Sequence, residues 1–236
     1  MRAIVSVLWN TPFLHIIFVQ TLLMLTLGNS IHTQRHLFTP ACFLVVGFLP
    51  VSAIVFHCLG VLPLQLCLSS LILPLFALAC CAGTFTPYVG RMAWQGWLAG
   101  IVAVALYDLS RVPFILFGWS DFIPKIGAWL SNTDQPDAVI GYLWRYIGNG
   151  GGLGIAFFMI LYFIGNRPHI IRTGIIFGLF VFSCLMLILL VFREAQDIMF
   201  RITPLSFAGS LTGHIVYGAA LGFMARTFFR RNERNS

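Results

Sequence analysis

The chain has 236 residues, of which 59% are apolar and only 9% charged, with 14 Lys and Arg against 7 Asp and Glu for a formal charge of +7. Soluble domains carry roughly 25% charged residues to wet their surface, so most of this surface has to face lipid. That excludes soluble enzymes, secreted disulfide scaffolds and disordered chains, and it leaves no nucleic-acid partner behind the positive charge.

Apolar stretches of about 20 residues, long enough to cross the hydrocarbon core as helices, predict seven spans at 8–28, 38–59, 61–83, 93–118, 138–165, 173–192 and 207–228. The expected fold is an all-α polytopic integral membrane bundle forming a single transmembrane domain. A β-barrel would need alternating apolar and polar residues in segments of about ten, and runs such as Ile175 to Phe192 do not alternate. The second and third spans are separated at Gly60, because together they would overshoot the bilayer about twofold at 1.5 Å per residue. Pro50, Pro63 and Pro74 are expected to bend this pair. All six cysteines (Cys42, Cys58, Cys67, Cys80, Cys81, Cys184) lie in apolar runs without C-x-x-C spacing, which makes them core or lipid-facing residues.

Orientation follows the placement of Lys and Arg near span ends. With the C-terminus in the cytoplasm, that side holds Arg35, Arg91, Arg167, Arg172, Arg226, Arg230, Arg231 and Arg234, and the opposite side Arg2, Lys125, Arg193 and Arg201. A bacterial-type inner membrane suits this bias. No small-residue cleavage site follows the first span, which is therefore expected to be retained. The acidic residues Asp121, Asp134, Asp137, Glu194 and Asp197 all fall in the two outer loops. The longer of these opens with an amphipathic stretch, Trp119 to Trp129, expected to lie in the headgroup region. The basic tail reads as an anchor on anionic lipid.

Three spans share a glycine pattern: Gly96 and Gly100, Gly150 and Gly154, and Gly218 and Gly222, each pair four residues apart after a polar or aromatic residue. Glycines at this spacing lie on one helix face and let another backbone approach closely, so these six are expected to be packing positions.

Three charges remain inside spans, and each costs roughly 3 kcal/mol at the bilayer centre unless paired or wetted. Asp108 and Arg111 stand i and i+3 on the fourth span and share a face. Arg145 lies on the fifth. Counting at 1.5 Å per residue puts Arg111, Arg145 and His214 at about 10 Å below the outer boundary, with Asp108 and Tyr217 about a turn deeper. Asp108, Arg111, Arg145, Asn149, His214 and Tyr217, joined by Tyr107 and Tyr142, are therefore expected to form one polar cluster in the outer half of the bundle. Two arginines and one aspartate would leave a positive excess that suits an anion. A structural ion pair, or an arginine reaching up to the headgroups, are the alternatives.

The sequence requires no cofactor. Membrane haem sites use His from neighbouring helices at one depth, which makes His15, His57 and His214 the candidate haem ligands. The Gly148 to Gly154 run lacks the preceding strand of a nucleotide loop, and no metalloprotease or nucleophile-elbow motif occurs. Three functional readings stand: a non-catalytic subunit that packs with other membrane proteins in the bilayer, a transporter or channel for a small anion or proton-coupled solute at the polar cluster, and a membrane redox (haem or quinone) or lipid-modifying enzyme.

Overall fold

Each long apolar run is helical in the computed structural model, which describes residues 31–165 and 169–234. The expected span at 8–28 lies outside the described residues, as do His15, Arg2 and Arg167. The chain divides into two units, 1–38 and 39–236. Of the first, only the opening turns of one helix are described, and everything below concerns the second.

In chain order the helices are α1 (Ile31–Cys58), α2 (Leu64–Thr84), α3 (Pro87–Leu116), α4 (Ile123–Ser131), α5 (Ala138–Ile164), α6 (Ile170–Val191), α7 (Arg193–Ile198) and α8 (Pro204–Arg234). Six of them, all but α4 and α7, are long and apolar enough to cross a membrane. The protein is an integral membrane protein, and among the described residues its bundle is all-α. The six coincide with the second to seventh expected spans. The start of α3 moves back to Pro87, because proline in the first turn needs no N–H partner there.

The central helix is α5. In its most apolar stretch 61% of residues are buried, against 22% in α2, which stands out toward lipid. Helices pack closely in lipid only where small residues let backbones meet. A methyl group at Gly96 would stand 2.7 Å from the Gly154 carbonyl oxygen, and one at Gly154 would stand 2.7 Å from Gly100 Cα. Helices α3 and α5 thus run antiparallel in backbone contact. Gly47 of α1 meets Gly152 and Ala156 on another side of α5. A second such pair, which the sequence reading did not single out, joins α6 and α8. Gly174 lies against Gly218 and Gly222, and Gly178 against His214 and Gly218. Gly213 and Gly209 on α8 then seat Tyr107 of α3 and the Trp119 ring, which brings the two helix pairs together.

Two helices widen into π-turns. In α2 this occurs over Leu68–Ile72, just before Pro74, whose ring nitrogen has no proton for the carbonyl four residues back. The second, Trp144–Gly150, carries Arg145 and Asn149. A π-turn leaves carbonyls without their usual helical donors, and side chains from neighbouring helices supply them here. Trp97 Nε1 donates to Ile147 O at 3.1 Å, and the Tyr217 hydroxyl donates to Gly150 O at 2.9 Å. Such bulges often mark functional positions.

The amphipathic stretch packs on protein: Ile123, Ile126, Gly127 and Ala128 of α4 are buried and Trp119 is 5% exposed. Gly127 fits so closely against the first turn of α5 that a methyl group there would stand 2.8 Å from Gly141 N. Protein therefore covers its apolar face in place of lipid. The chain doubles back at both ends through positive φ, at Gly118 (105°) and at Asn132 (53°). Asp137, one of the loop acids, caps α5 by accepting from Ile140 N at 3.0 Å.

A side chain added at these contacts must push two backbones apart. Gly100→Val or Gly154→Val is expected to cost about 1–3 kcal/mol, read as a fall in the midpoint of thermal unfolding in detergent. Val102→Leu on the lipid-facing side of α3 should leave it unchanged, and equal midpoints for all three variants would show that close approach is not what holds α3 to α5.

Candidate functional site

Both intramembrane arginines are buried, Arg111 at 2% and Arg145 at 8% exposure, so neither reaches the headgroups. Each has its own carboxylate. Arg145 on α5 is bidentate to Asp108 on α3, with Nε 2.8 Å from Oδ1 and 2.9 Å from Oδ2. Its guanidinium also lies 4.6 Å from the centre of the Tyr107 ring. Arg111 turns to the other end of α3 and donates to Asp121 Oδ1 at 2.6 Å. The second oxygen of Asp121 accepts from the Tyr142 hydroxyl at 2.7 Å, and the Trp119 ring lies 5.2 Å from the Arg111 guanidinium carbon.

This pairing corrects the expected charge balance. The i, i+3 spacing of Asp108 and Arg111 suggested a shared face, but their carboxylate and guanidinium serve different partners. Asp121, expected in an outer loop, folds back beneath α4 to meet Arg111. Two arginines and two aspartates leave no formal excess, because an unpaired charge at this depth costs more than bending a loop inward to neutralise it.

Beside the Asp108–Arg145 pair lies a cavity of about 450 Å³, the size of a pocket for a small organic ligand. Arg145, Asn149, His214 and Tyr217 of the expected cluster line it, together with Tyr107. Asp108 stands behind Arg145, while Arg111 and Tyr142 belong to the separate contact under α4. The rest of the wall is apolar and comes from α1, α3, α4, α6 and the segment before α8. Trp119, Phe122, Ile123 and Ile126 close the end nearest the loops. That these connections share one end of the bundle is marked by two contacts: His57 packs against Trp129 with the rings tilted and 4.5 Å between centres, and Lys125 Nζ donates to Ile198 O at 3.4 Å.

The polar groups on the wall have defined hydrogen-bonding roles. His214 Nδ1 stands 2.7 Å from Ser210 O, a carbonyl that can only accept, so Nδ1 carries the proton. In the neutral ring Nε2 is then an acceptor, and it has no hydrogen-bond partner among the described residues. The Tyr107 ring meets this imidazole edge-on at 5.2 Å and Phe182 packs against it at 5.6 Å, which fixes its plane. Arg145 spends Nε and Nη2 on Asp108 and leaves Nη1 as a donor without a partner among the described residues. Asn149 Oδ1 is buried and likewise unpartnered. The lining residues therefore carry one unpartnered donor, on Arg145, and two unpartnered acceptors, on His214 and Asn149, with no net charge once Asp108 is counted.

Of the histidine candidates, His57 accepts the backbone N–H of Leu64 on Nδ1 at 3.3 Å and so ties the α1–α2 turn. It is not among the cavity's lining residues. No group of three or more His, Cys, Asp or Glu that could hold a metal occurs among the described residues. Sequence reading missed Asp121, Ser210 and the α4 wall. The one available signal was the apolar repeat Ile123, Ile126, Leu130 beside a glycine, Gly127, that could seat it on another helix. No family model matches the chain, and neither a curated protein nor a solved structure is significantly similar to it.

Removing one member of a buried ion pair leaves an uncompensated charge. Asp108→Asn or Arg145→Met is each expected to cost about 3–5 kcal/mol. The double variant Asp108→Leu with Arg145→Met should recover most of that loss in a thermal double-mutant cycle. Additive losses in the cycle would show that the two groups do not depend on each other.

Proposed function

We propose that the protein binds a small, uncharged, largely apolar molecule with one polar end, within the membrane. The observation that carries this reading is the cavity wall at His214 and Arg145: an acceptor and a donor, both held by their other bonds, with Asn149 beside them in a largely apolar space. Preformed apolar pockets with a few placed polar groups are the usual form of small-molecule sites. A hydroxyl or carbonyl end group suits such a wall. An anion does not, because each guanidinium has its carboxylate, so the small-anion reading loses the excess charge it rested on. The reading as a packing subunit drew on the glycine-lined faces and on the lack of a catalytic motif; the glycines of α3, α5 and α8 meet glycines within the chain.

Extraction of the protein purified in mild detergent, followed by mass spectrometry, tests the reading. An uncharged amphiphile enriched to about one per chain is expected, and His214→Phe, which keeps the ring contacts and removes Nε2, should lose it. An extract with the composition of the bulk bilayer would sink the proposal, and a stoichiometric second polypeptide in its place would return the subunit reading.

We also infer that the C-terminus faces the cytoplasm, in a membrane of the bacterial inner type. The support is the eight arginines that flank the spans on that side against four Lys and Arg on the other. The cavity then lies in the outer half of the bilayer. A periplasm-active reporter fused after Ser236 is expected to be silent, and a cytoplasm-active one to work; the reverse pattern would invert the topology.

A further inference from the structure

The cavity is sealed at its loop end and open at its side. Trp119, Phe122, Ile123 and Ile126 are each no more than 8% exposed, so α4 and its approach cover that end. At the side, the lining residues Phe180 and Cys184 of α6 are also exposed on the outer surface of the bundle, Phe180 at 54%. They stand four residues apart on one face of α6. Opposite them, Ser52 and Val55 of α1 line the same space and are half-buried. Below this gap α1 and α6 meet again, where the Phe48 and Phe177 rings lie 6.1 Å apart. Among the described residues, the opening is thus a window between two membrane-spanning helices, beside the polar wall, and no other described helix covers it.

A window of this kind admits molecules dissolved in the bilayer, and it has a second consequence. A cavity of about 450 Å³ accommodates the polar end of a lipid and the first part of its chain, and the remainder of a long chain has a path out between Ser52 and Cys184. Resting on the binding reading above, we propose that the ligand is a single-chain uncharged lipid, such as a long-chain alcohol or an isoprenoid alcohol. It enters sideways between α1 and α6 and is held with its hydroxyl at His214 and Arg145 and its chain in the bilayer. The hydroxyl donates to His214 Nε2 and accepts from Arg145 Nη1, which satisfies both groups. Its chain replaces lipid at the exposed face of Phe180.

Photolabelling of the full chain in phosphatidylcholine vesicles tests this, with two long-chain fatty alcohols that carry a diazirine either beside the hydroxyl or at the chain end. The first probe is expected to label Tyr107, Trp119 or Tyr217, and the second Phe180, Cys184 or their lipid-facing neighbours. Cys184→Trp and Ser52→Trp, each narrowing the window, should lower cavity labelling by about tenfold or more, the change given by 1.4 kcal/mol of lost affinity. Leu187→Trp, on an exposed face of α6, should leave it unchanged. Labelling of Tyr107, Trp119 or Tyr217 by the chain-end probe, or labelling by the first probe that is indifferent to both window variants in folded protein, would overturn the lateral route while leaving the binding reading intact. Failure of both probes to label any of these residues in the unaltered protein would overturn both. Should the window variants fail to fold, the positions labelled by the two probes in the unaltered chain decide between these outcomes.

Discussion

The arrangement of this bundle depends on neutralising two guanidinium groups below the membrane surface. Arginine does not give up its proton in a protein, so each had to be given an anionic partner at its own depth. Asp108 reaches Arg145 across the α3–α5 contact, and Asp121 reaches Arg111 only because the chain turns inward after Gly118. The second pairing draws the 119–131 segment into the bundle. Tyr142 shares the same carboxylate, so α3, α4 and α5 are tied at one point. Without that tie the cavity would have no closed end.

Small residues make the first pairing possible. Asp108 can be bidentate to Arg145 because Gly96 and Gly100 let α3 lie directly on α5, and the π-turn over Trp144–Gly150 changes the angle at which Arg145 and Asn149 leave the helix axis. The carbonyls released by that turn are taken by Trp97 and Tyr217, one from the helix on either side. Tyr217 therefore has two duties, closing a helix defect and lining the cavity. The same economy holds at His214, whose Nδ1 is spent on the backbone of its own helix so that Nε2 has a fixed direction and a defined role as acceptor.

Much of this was legible along the chain. Scarce charge identified the lipid environment, unbroken apolar runs marked the spans, and counting at 1.5 Å per residue brought Arg145, Asn149, His214 and Tyr217 to similar depths before any contact was known. Glycines at i and i+4 marked faces of close approach. Gly174 and Gly178 carried the same spacing after a polar residue, Thr173, and were not singled out. Trp119 to Trp129 resembled an interfacial helix because an apolar face is equally suited to lipid and to protein, and hydrophobicity does not distinguish the two.

What the sequence by itself determined was the solvent, the helices and the position of each polar group along its helix, since all three follow from properties read along the chain. The tertiary structure alone decided which aspartate meets which arginine, that the charges balance, and that the space beside them opens between α1 and α6. Helical periodicity specifies a face and a height but not the neighbour across from it. A loop acid becomes a half-buried partner only once the fold brings a cation beside it.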